Sequence, residues 1–230
     1  MVSGCVLMHH HISLTSYVCK GDTRPFFITA AHVLKGCRSG DYIYFEQKGG
    51  RFAAQLNGII RDEAGFDICA FATSNLPVAS GWASSTNSAI AMGQRMMFLG
   101  FPHGLLGTHP GESDYPTPLV RNAFLSGVAV IEGKEMMILD GFNNPGYSGG
   151  PVYTADIEAS GDPKLCGVVS GYRNEQQSHG RIYQKNESGE EEALADLYTK
   201  PNSGMVICVH VRQLIDLGAR MVAYNPVLLP

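Results

Sequence analysis

The chain contains Asn144-Pro145-Gly146-Tyr147-Ser148-Gly149-Gly150-Pro151, a segment that places one serine among three glycines and two prolines. A serine hydroxyl is a weak nucleophile until a base removes its proton, and the oxyanion formed on an attacked carbonyl needs converging backbone N–H groups. Glycine at Gly146 allows a turn that brings its own N–H together with that of Ser148. The segment therefore predicts a nucleophilic serine, and the alternative is a glycine-rich turn that the serine caps.

A histidine follows a short apolar strand, in Phe26-Phe27-Ile28-Thr29-Ala30-Ala31-His32-Val33. This pattern fixes His32 at a strand end, between small neighbours. Histidine is the natural general base because its pKa lies near neutral pH. A lone histidine here is more often structural, but its combination with the serine motif favours a catalytic role.

An acidic residue opens another apolar strand, in Phe66-Asp67-Ile68-Cys69-Ala70-Phe71. Buried beside His32, the Asp67 carboxylate would hold the Nδ1–H and stabilise the imidazolium. Asp62 and Glu63 are chemical rivals, but they lie in a charged turn and are expected to be solvated. Asp67 is therefore the predicted orienting carboxylate.

The apolar runs are short and are separated by glycine-rich turns, which indicates an all-β fold. Two groups of six strands predict two six-stranded antiparallel barrels, whose closure removes exposed edges. We expect a single domain with an N-terminal barrel at 1–72, a linker at 73–94, and a C-terminal barrel and helix at 95–230. The spacing of Val211, Leu214, Ile215 and Leu217 predicts that helix at Val211–Ala219.

Composition excludes several classes of protein. The 230 residues carry a formal net charge of −4, 44% are hydrophobic and 17% are charged; such a chain buries a core, and it lacks the basic surplus of a nucleic-acid binder. No apolar run approaches the roughly 18 residues of a membrane-spanning helix. The start of the chain lacks the pattern of a secretory signal, so we expect a cytoplasmic location.

Cysteine spacing does not indicate a metal site, and no cofactor is expected. The six cysteines form no CxxC pair, and we predict that most are reduced and buried. The alternative is one disulfide, for which Cys19 and Cys37 are the best candidates.

Together these motifs resemble the trypsin-like peptidases of the chymotrypsin fold, whose His–Asp–Ser order they share. The closer likeness is to the HtrA-type branch, in TAAHVL (29–34), FDICAF (66–71), FLGFPHG (98–104) and NPGYSGGP (144–151). The likeness extends from Leu14 to about Leu217, and we expect no PDZ domain. It implies two six-stranded barrels with the active site between them. By motif, His32 would be the base, Asp67 its orienting partner and Ser148 the nucleophile, with an oxyanion hole at Gly146 and Ser148.

The sequence also departs from these relatives. Tyr147 stands where zymogen-activated trypsins carry aspartate, so no activation ion pair with a new N-terminus is expected. No cysteine follows His32, so the disulfide found there in many secreted trypsins is missing.

The resemblance also assigns substrate contacts. The strand with Ser170, Gly171 and Tyr172 would pair with the substrate backbone. Phe142 replaces the aspartate that gives trypsins their basic preference, so Phe142 and Tyr172 would favour a small or medium apolar residue. Two alternatives are that both aromatic residues pack in the second barrel, and that Asp140 approaches the pocket and gives a basic preference.

The long segment Arg173–Gly204 is acidic, with a predicted helical turn at Glu190–Tyr198. Loops of this length are usually functional or disordered, so we expect it to gate access or select substrates, and a surface insertion without a role is the alternative. For the whole chain we predict a serine endopeptidase acting on proteins or peptides. The alternatives are a catalytically silent peptide-binding or scaffold module and an esterase.

Overall fold

The computed structural model describes residues 8–9, 12–13, 15–17, 26–47, 50–73, 90–107, 116–155, 163–174, 180–199 and 202–224. Side chains are described over 26–45, 51–73, 90–107, 116–155, 163–171, 183–192 and 202–223. Among the described helices, none is long and apolar enough to cross a bilayer.

The first half of the chain is built from short strands. They are β1 (Met8–His9), β2 (Ile12–Ser13), β3 (Thr15–Tyr17), β4 (Phe26–Thr29), β5 (Tyr42–Gln47), β6 (Gly50–Arg61) and β7 (Cys69–Thr73). A 3-10 helix at Ala31–Leu34 follows β4 directly.

The second half continues the series and ends in a helix. Its strands are β8 (Arg95–Gly100), β9 (Leu119–Ile131), β10 (Lys134–Asp140), β11 (Pro151–Thr154), β12 (Leu165–Asn174), β13 (Gly180–Lys185), β14 (Glu191–Thr199) and β15 (Asn202–His210). A 3-10 helix spans Pro102–Gly104, and helix α1 spans Val211–Tyr224.

The C-terminal half forms the predicted closed barrel. Its six antiparallel strands follow the order β10-β15-β12-β11-β8-β9. Met96 and Phe98 of β8 point into the barrel, whereas Met97 and Leu99 pack on the core shared with the N-terminal half. This period of two is what an alternating strand requires when its faces meet different surroundings.

The N-terminal half is a five-stranded sheet of order β3-β4-β7-β6-β5, so a second six-stranded barrel is not confirmed. The long strand β6 pairs with two neighbours: Gly50–Gln55 pair with β5, and Leu56–Arg61 pair with β7, with an irregularity between Leu56 and Gly58. The apolar run Val2–His10 also predicts a strand, and most of it lies outside the described residues. Its described part, β1, pairs with β2 and contacts β5.

Strands β4 and β7 are buried on both faces. Phe27 and Phe71 stack in the core of the N-terminal sheet, while Ile28 and Ala70 face the core shared with the barrel and α1. Burial on both faces explains why these two segments read as continuous apolar runs. His32 lies just after β4 and Asp67 just before β7, so two almost fully buried strands position these residues.

The remaining sequence predictions have mixed outcomes. Helix α1 begins at Val211 as predicted but continues to Tyr224. The helical turn expected at Glu190–Tyr198 is wrong, because β14 pairs there with β13. The linker at 73–94 lies mostly outside the described residues.

The described cysteines support the prediction of reduced thiols. Cys37, Cys69, Cys166 and Cys208 are free. Cys19, the other half of the candidate disulfide, lies outside the described residues. Burial raises the pKa of Cys69 and Cys166 to about 12, which keeps both thiols protonated and unreactive.

Candidate active site

The predicted base and its carboxylate are in direct contact. Nδ1 of His32 lies 2.7 Å from Oδ2 of Asp67, and the backbone N–H of His32 donates to Oδ1 at 2.9 Å. An ionised carboxylate only accepts hydrogen bonds, so the ring proton belongs on Nδ1 and the lone pair on Nε2. In this tautomer the ring is oriented to accept a proton at Nε2.

Local structure holds this pair in place. The 3-10 helix turns the chain at the end of β4, and the N–H of Ala31 donates to the backbone carbonyl of Asp67 at 3.1 Å. The His32 side chain is 49% exposed and that of Asp67 33%, so the ring is accessible from the cleft while one edge is fixed.

The two groups shift each other's pKa. The hydrogen bond to Asp67 raises the pKa of His32 above its ordinary value, and burial offsets only part of that effect. Burial alone would raise the pKa of Asp67, but the bonds from the His32 ring, the His32 backbone and the Ser170 hydroxyl lower it below its ordinary value. Asp67 therefore stays ionised wherever His32 titrates.

The rival acidic residues are engaged elsewhere. Oδ2 of Asp62 accepts from the N–H of Phe66 at 3.0 Å and so closes the turn that leads to Asp67. Glu63 forms an exposed ion pair with Arg220 at 2.6 Å. Neither carboxylate contacts His32, which agrees with the choice of Asp67.

Ser170 links the two halves of the molecule. It is the extra residue of a bulge in β12, because Val169 pairs with Cys208 and Gly171 pairs with Ile207. A bulge redirects a side chain away from the regular alternation. Here the Ser170 hydroxyl donates to Oδ2 of Asp67 at 2.8 Å, a contact that the sequence analysis did not foresee.

Ser148 lies beside this bridge. Its hydroxyl donates to the backbone carbonyl of Ser170 at 3.4 Å, and among the described residues no hydrogen bond joins it to His32. Ser170 therefore contacts both predicted residues, Asp67 through its side chain and Ser148 through its backbone. The structure brings all three motif residues to one place, with the serine hydroxyl turned towards Ser170.

Glycine is required in the turn before Ser148. Gly146 has φ +109°, and a Cβ there would collide with the carbonyl oxygen of Phe101. A Cβ on Gly150 would collide with the carbonyl oxygen of Leu99. The turn therefore packs directly against the end of β8, at a distance that only glycine permits.

The segment after β8 is a support that the sequence analysis missed. The N–H of Phe101 donates to Gly146 O at 3.0 Å, and the N–H of His103 donates to Pro145 O at 3.1 Å. His103 adopts φ 53° in the short 3-10 helix. Its role is carried by the backbone, so a search for reactive side chains cannot find it; the FLGFPHG likeness was the available signal.

Tyr147 is a core residue. Its side chain is 1% exposed, it meets Phe98 edge-on with ring centroids 4.9 Å apart, and the guanidinium of Arg121 lies 5.9 Å from its ring centroid. Between Gly146 and Ser148, this ring anchors the turn in the barrel interior by packing.

The predicted substrate contacts are partly described. Phe142 is 52% exposed, and a Cβ on Gly171 would meet nothing within 4 Å, so both border open space. Asp140 is exposed on β10, where it pairs with Met205. The side chain of Tyr172 lies outside the described side chains.

The buried Asn143 supports the residues that border this open space. Asn143 is 1% exposed. Its side-chain Nδ2 donates to Gly171 O at 3.1 Å, and its backbone carbonyl accepts a hydrogen bond from Nδ2 of Asn202. The segment before Ser148 is thereby tied to β12 and β15. In the part of the chain that the structure describes, no three His, Cys, Asp or Glu side chains gather as they would around a metal ion.

The fold and this cluster of side chains define a trypsin-like peptidase domain. The family model of that domain matches residues 15–161, and the chain belongs to this family. No curated protein sequence matches the chain.

Two solved protease structures share the fold. The HtrA-type protease AlgW, solved with a tripeptide, is 16% identical with a TM-score of 0.54, covering 93% of this chain and 56% of that chain. Rv3671c from M. tuberculosis H37Rv, solved in an inactive form, is 16% identical with a TM-score of 0.54. The match covers 96% of this chain and 87% of that chain. The chain thus spans little more than half of the HtrA-type protease chain.

Proposed function

We propose that the chain is a serine endopeptidase that hydrolyses peptide bonds through an acyl-enzyme intermediate. The observation that carries this proposal is the bridge at Ser170. One carboxylate, Asp67, accepts bonds from both His32 and Ser170, while the Ser170 backbone accepts from Ser148. Base, orienting carboxylate and nucleophile are thereby brought together from the two halves of the fold.

The first chemical step begins with a rotation about the Ser148 side chain. The hydroxyl leaves Ser170 O and turns towards Nε2 of His32, which takes its proton as the oxygen attacks the substrate carbonyl. Asp67 stabilises the imidazolium formed. His32 then gives the proton to the leaving amine. In the second half of the reaction His32 takes a proton from water as the water attacks the acyl carbonyl, and it returns that proton to the Ser148 oxygen as the acyl group leaves as a carboxylic acid.

The Gly146 turn would supply the oxyanion hole. Peptide units are planar and trans, so a fixed carbonyl points the following N–H the opposite way. Pro145 O is held by His103, and Tyr147 O accepts from Gly150 at 2.9 Å. These bonds set the directions of the Gly146 and Ser148 N–H groups, which fits a preorganised pair of donors.

The exposed Phe142 supports a substrate residue of small or medium apolar character, with Ser170, Gly171 and Tyr172 as backbone partners of the peptide.

The contact between β1 and β5 further supports a second, N-terminal barrel, as the family resemblance implies. The β13–β14 hairpin, whose exposed tip carries Glu187, Glu190, Glu191 and Glu192, would select among protein substrates.

A catalytically silent peptide-binding module is the second candidate. The observation that favours it is the Ser148 hydroxyl, which points to Ser170 O and makes no bond to His32 among the described residues. In such a module the cleft would bind a peptide without cleaving it.

Digestion of an unbiased peptide library tests the choice. The wild-type protein should cleave a defined set of sequences, and Ser148→Ala should bind the same peptides without cleaving them. No cleavage by wild type, together with peptide binding, would establish the silent module. The folded state of both proteins is checked by circular dichroism.

A further inference from the structure

The turn that follows His32 depends on a side chain from another strand. A 3-10 helix leaves carbonyl groups without intrahelical partners at its C-terminal end. Nη2 of Arg61 donates to Leu34 O at 2.8 Å and to Cys37 O at 3.2 Å. A cation at the C-terminal end of a helix is favourable because it opposes the partial negative charge there.

The backbone of Arg61 lies beside the strand that follows Asp67. Arg61 ends β6 and pairs directly with Cys69, two residues after Asp67. The next residue continues the contact, since the N–H of Asp62 donates to Ile68 O at 3.2 Å. Arg61 is therefore fixed by its backbone to the Asp67 segment and by its guanidinium to the His32 turn.

Among the described residues, no disulfide joins these two segments. Cys37 is a free thiol, and the residue after His32 is Val33, so no cysteine there could form a disulfide. Within the described part of the chain, the other bonds between the His32 turn and Asp67 come from Ala31 and His32, at the start of the turn. At Leu34 and Cys37 the far side of the turn is tied to β6 by the Arg61 guanidinium. The residues that follow, 39–41, bond to the middle of the same strand at Leu56 and Asn57.

We propose that Arg61 is a positioning residue that fixes the His32 turn against the strand carrying Asp67. This inference rests on the proposed peptidase function, which makes the position of the His32 ring a determinant of rate. Small displacements of a catalytic group lower the rate steeply, because the reacting atoms must be aligned within a fraction of an ångström. Arg61 acts through His32 and does not touch the substrate.

Kinetics of Arg61→Gln provide the first test. With a small peptide substrate we expect kcat to fall about tenfold while KM changes by less than about twofold, because alignment is lost but binding is not. Arg61→Lys should recover part of the loss, since an ammonium reaches one carbonyl but lacks the guanidinium fork. Active-site titration restricts the comparison to folded enzyme.

Arg220→Gln is the matched control. Arg220 also contacts the neighbouring segment, through Asp62 and Glu63, and its removal changes net charge equally. We expect kcat to stay within about twofold of wild type, as for other surface ion pairs. Unchanged kcat in Arg61→Gln, or an equal loss in both variants, overturns the proposal.

A spectroscopic test does not depend on catalysis. In Ser148→Ala protein, the downfield proton NMR signal of the His32 Nδ1–H should shift or broaden in Arg61→Gln or Arg61→Lys, and should stay in place in Arg220→Gln. An unaltered signal in the Arg61 variants overturns the positioning role. If wild type proves inactive, the proposed function fails and this signal alone decides the question of Arg61.

Discussion

The two sides of the proposed catalytic site hold His32 and Ser148 by different means. His32 is fixed to the ionised Asp67 carboxylate by its ring Nδ1–H at 2.7 Å and by its backbone N–H at 2.9 Å. Ser148 is held by its backbone, in a turn whose carbonyls are bound by Phe101 and His103 and whose glycines allow close packing. The His32 ring is thus already oriented by a carboxylate, whereas the Ser148 hydroxyl points to Ser170 O. The base side should therefore be sensitive to charge and the nucleophile side to backbone geometry.

Removing the charge on the base side should have the largest effect among these variants. Asp67→Asn leaves the shape of the site but presents an amide to Nδ1, which stabilises the wrong tautomer of His32. We expect kcat to fall by about 10⁴. The measurement is steady-state hydrolysis of a small peptide by protein that is folded by circular dichroism.

Asp62→Asn is the control for that change. Its carboxylate closes the turn before Asp67 but does not contact His32, so we expect a loss of about tenfold or less, mainly through stability. A greater loss in Asp62→Asn than in Asp67→Asn would mean that the orienting carboxylate has been misassigned.

A backbone change should have the next largest effect, on the nucleophile side. In Gly146→Ala the new methyl group meets Phe101 O, so the turn must move and the N–H donors with it. Displacing such a donor typically lowers kcat by about 10² to 10³. KM for a small peptide should change much less.

Gly133→Ala separates strain from collision. Gly133 has φ +76° in the β9–β10 turn, and a Cβ there would meet nothing within 4 Å. We expect a loss of about 1 kcal/mol in stability, from the positive φ alone, with kcat unchanged. Equal kinetic losses in both variants would show that the Gly146 turn has no special role.

The pH dependence of activity tests the His32 side alone, and its expected effect is smaller. The bond to Asp67 raises the pKa of His32, and His32 must be neutral to act as a base. Activity should therefore rise with pH, with a midpoint in kcat/KM above 6.5, and fall about tenfold per unit below that midpoint. A midpoint below 6.5 would contradict the orientation of the ring by Asp67.

The acidic hairpin should have the smallest effect on a small substrate. Replacing residues 175–201 with a short Gly-Ser bridge keeps Asn202, whose side chain donates to Asn143 O. We expect kcat/KM on a small peptide to stay within about twofold, and that on a folded protein to change more, with Tm nearly unchanged. Identical kinetics on both substrates would show a surface insertion without a role.

Much of this arrangement could be predicted from local sequence. Strands β4 and β7 are buried on both faces, so their apolar runs are unambiguous and place His32 and Asp67 at strand ends. Gly146 was identified because its turn needs a positive φ. These features depend on residue type and on short spacing, which a sequence displays directly.

Other features depend on tertiary contacts. The Ser170 hydroxyl reaches Asp67 because β12 bulges there; the neighbouring Gly171 is compatible with a bulge but does not show which side chain is redirected or what it contacts. His103 acts through its N–H, and Arg61 through a contact across 24 residues to Cys37. The β13–β14 hairpin was misread as partly helical because Glu, Ala and Leu favour helices, whereas pairing between the strands decides its structure.

The central claim is that Ser148 is a nucleophile activated by His32, and covalent labelling tests it most directly. A fluorophosphonate probe forms a bond to an activated serine oxygen and not to an ordinary hydroxyl. Mass spectrometry should find one adduct, on the peptide containing Ser148, with no adduct in Ser148→Ala and much slower labelling in Asp67→Asn. Absence of labelling in folded wild-type protein, or an adduct on another serine, would contradict the account.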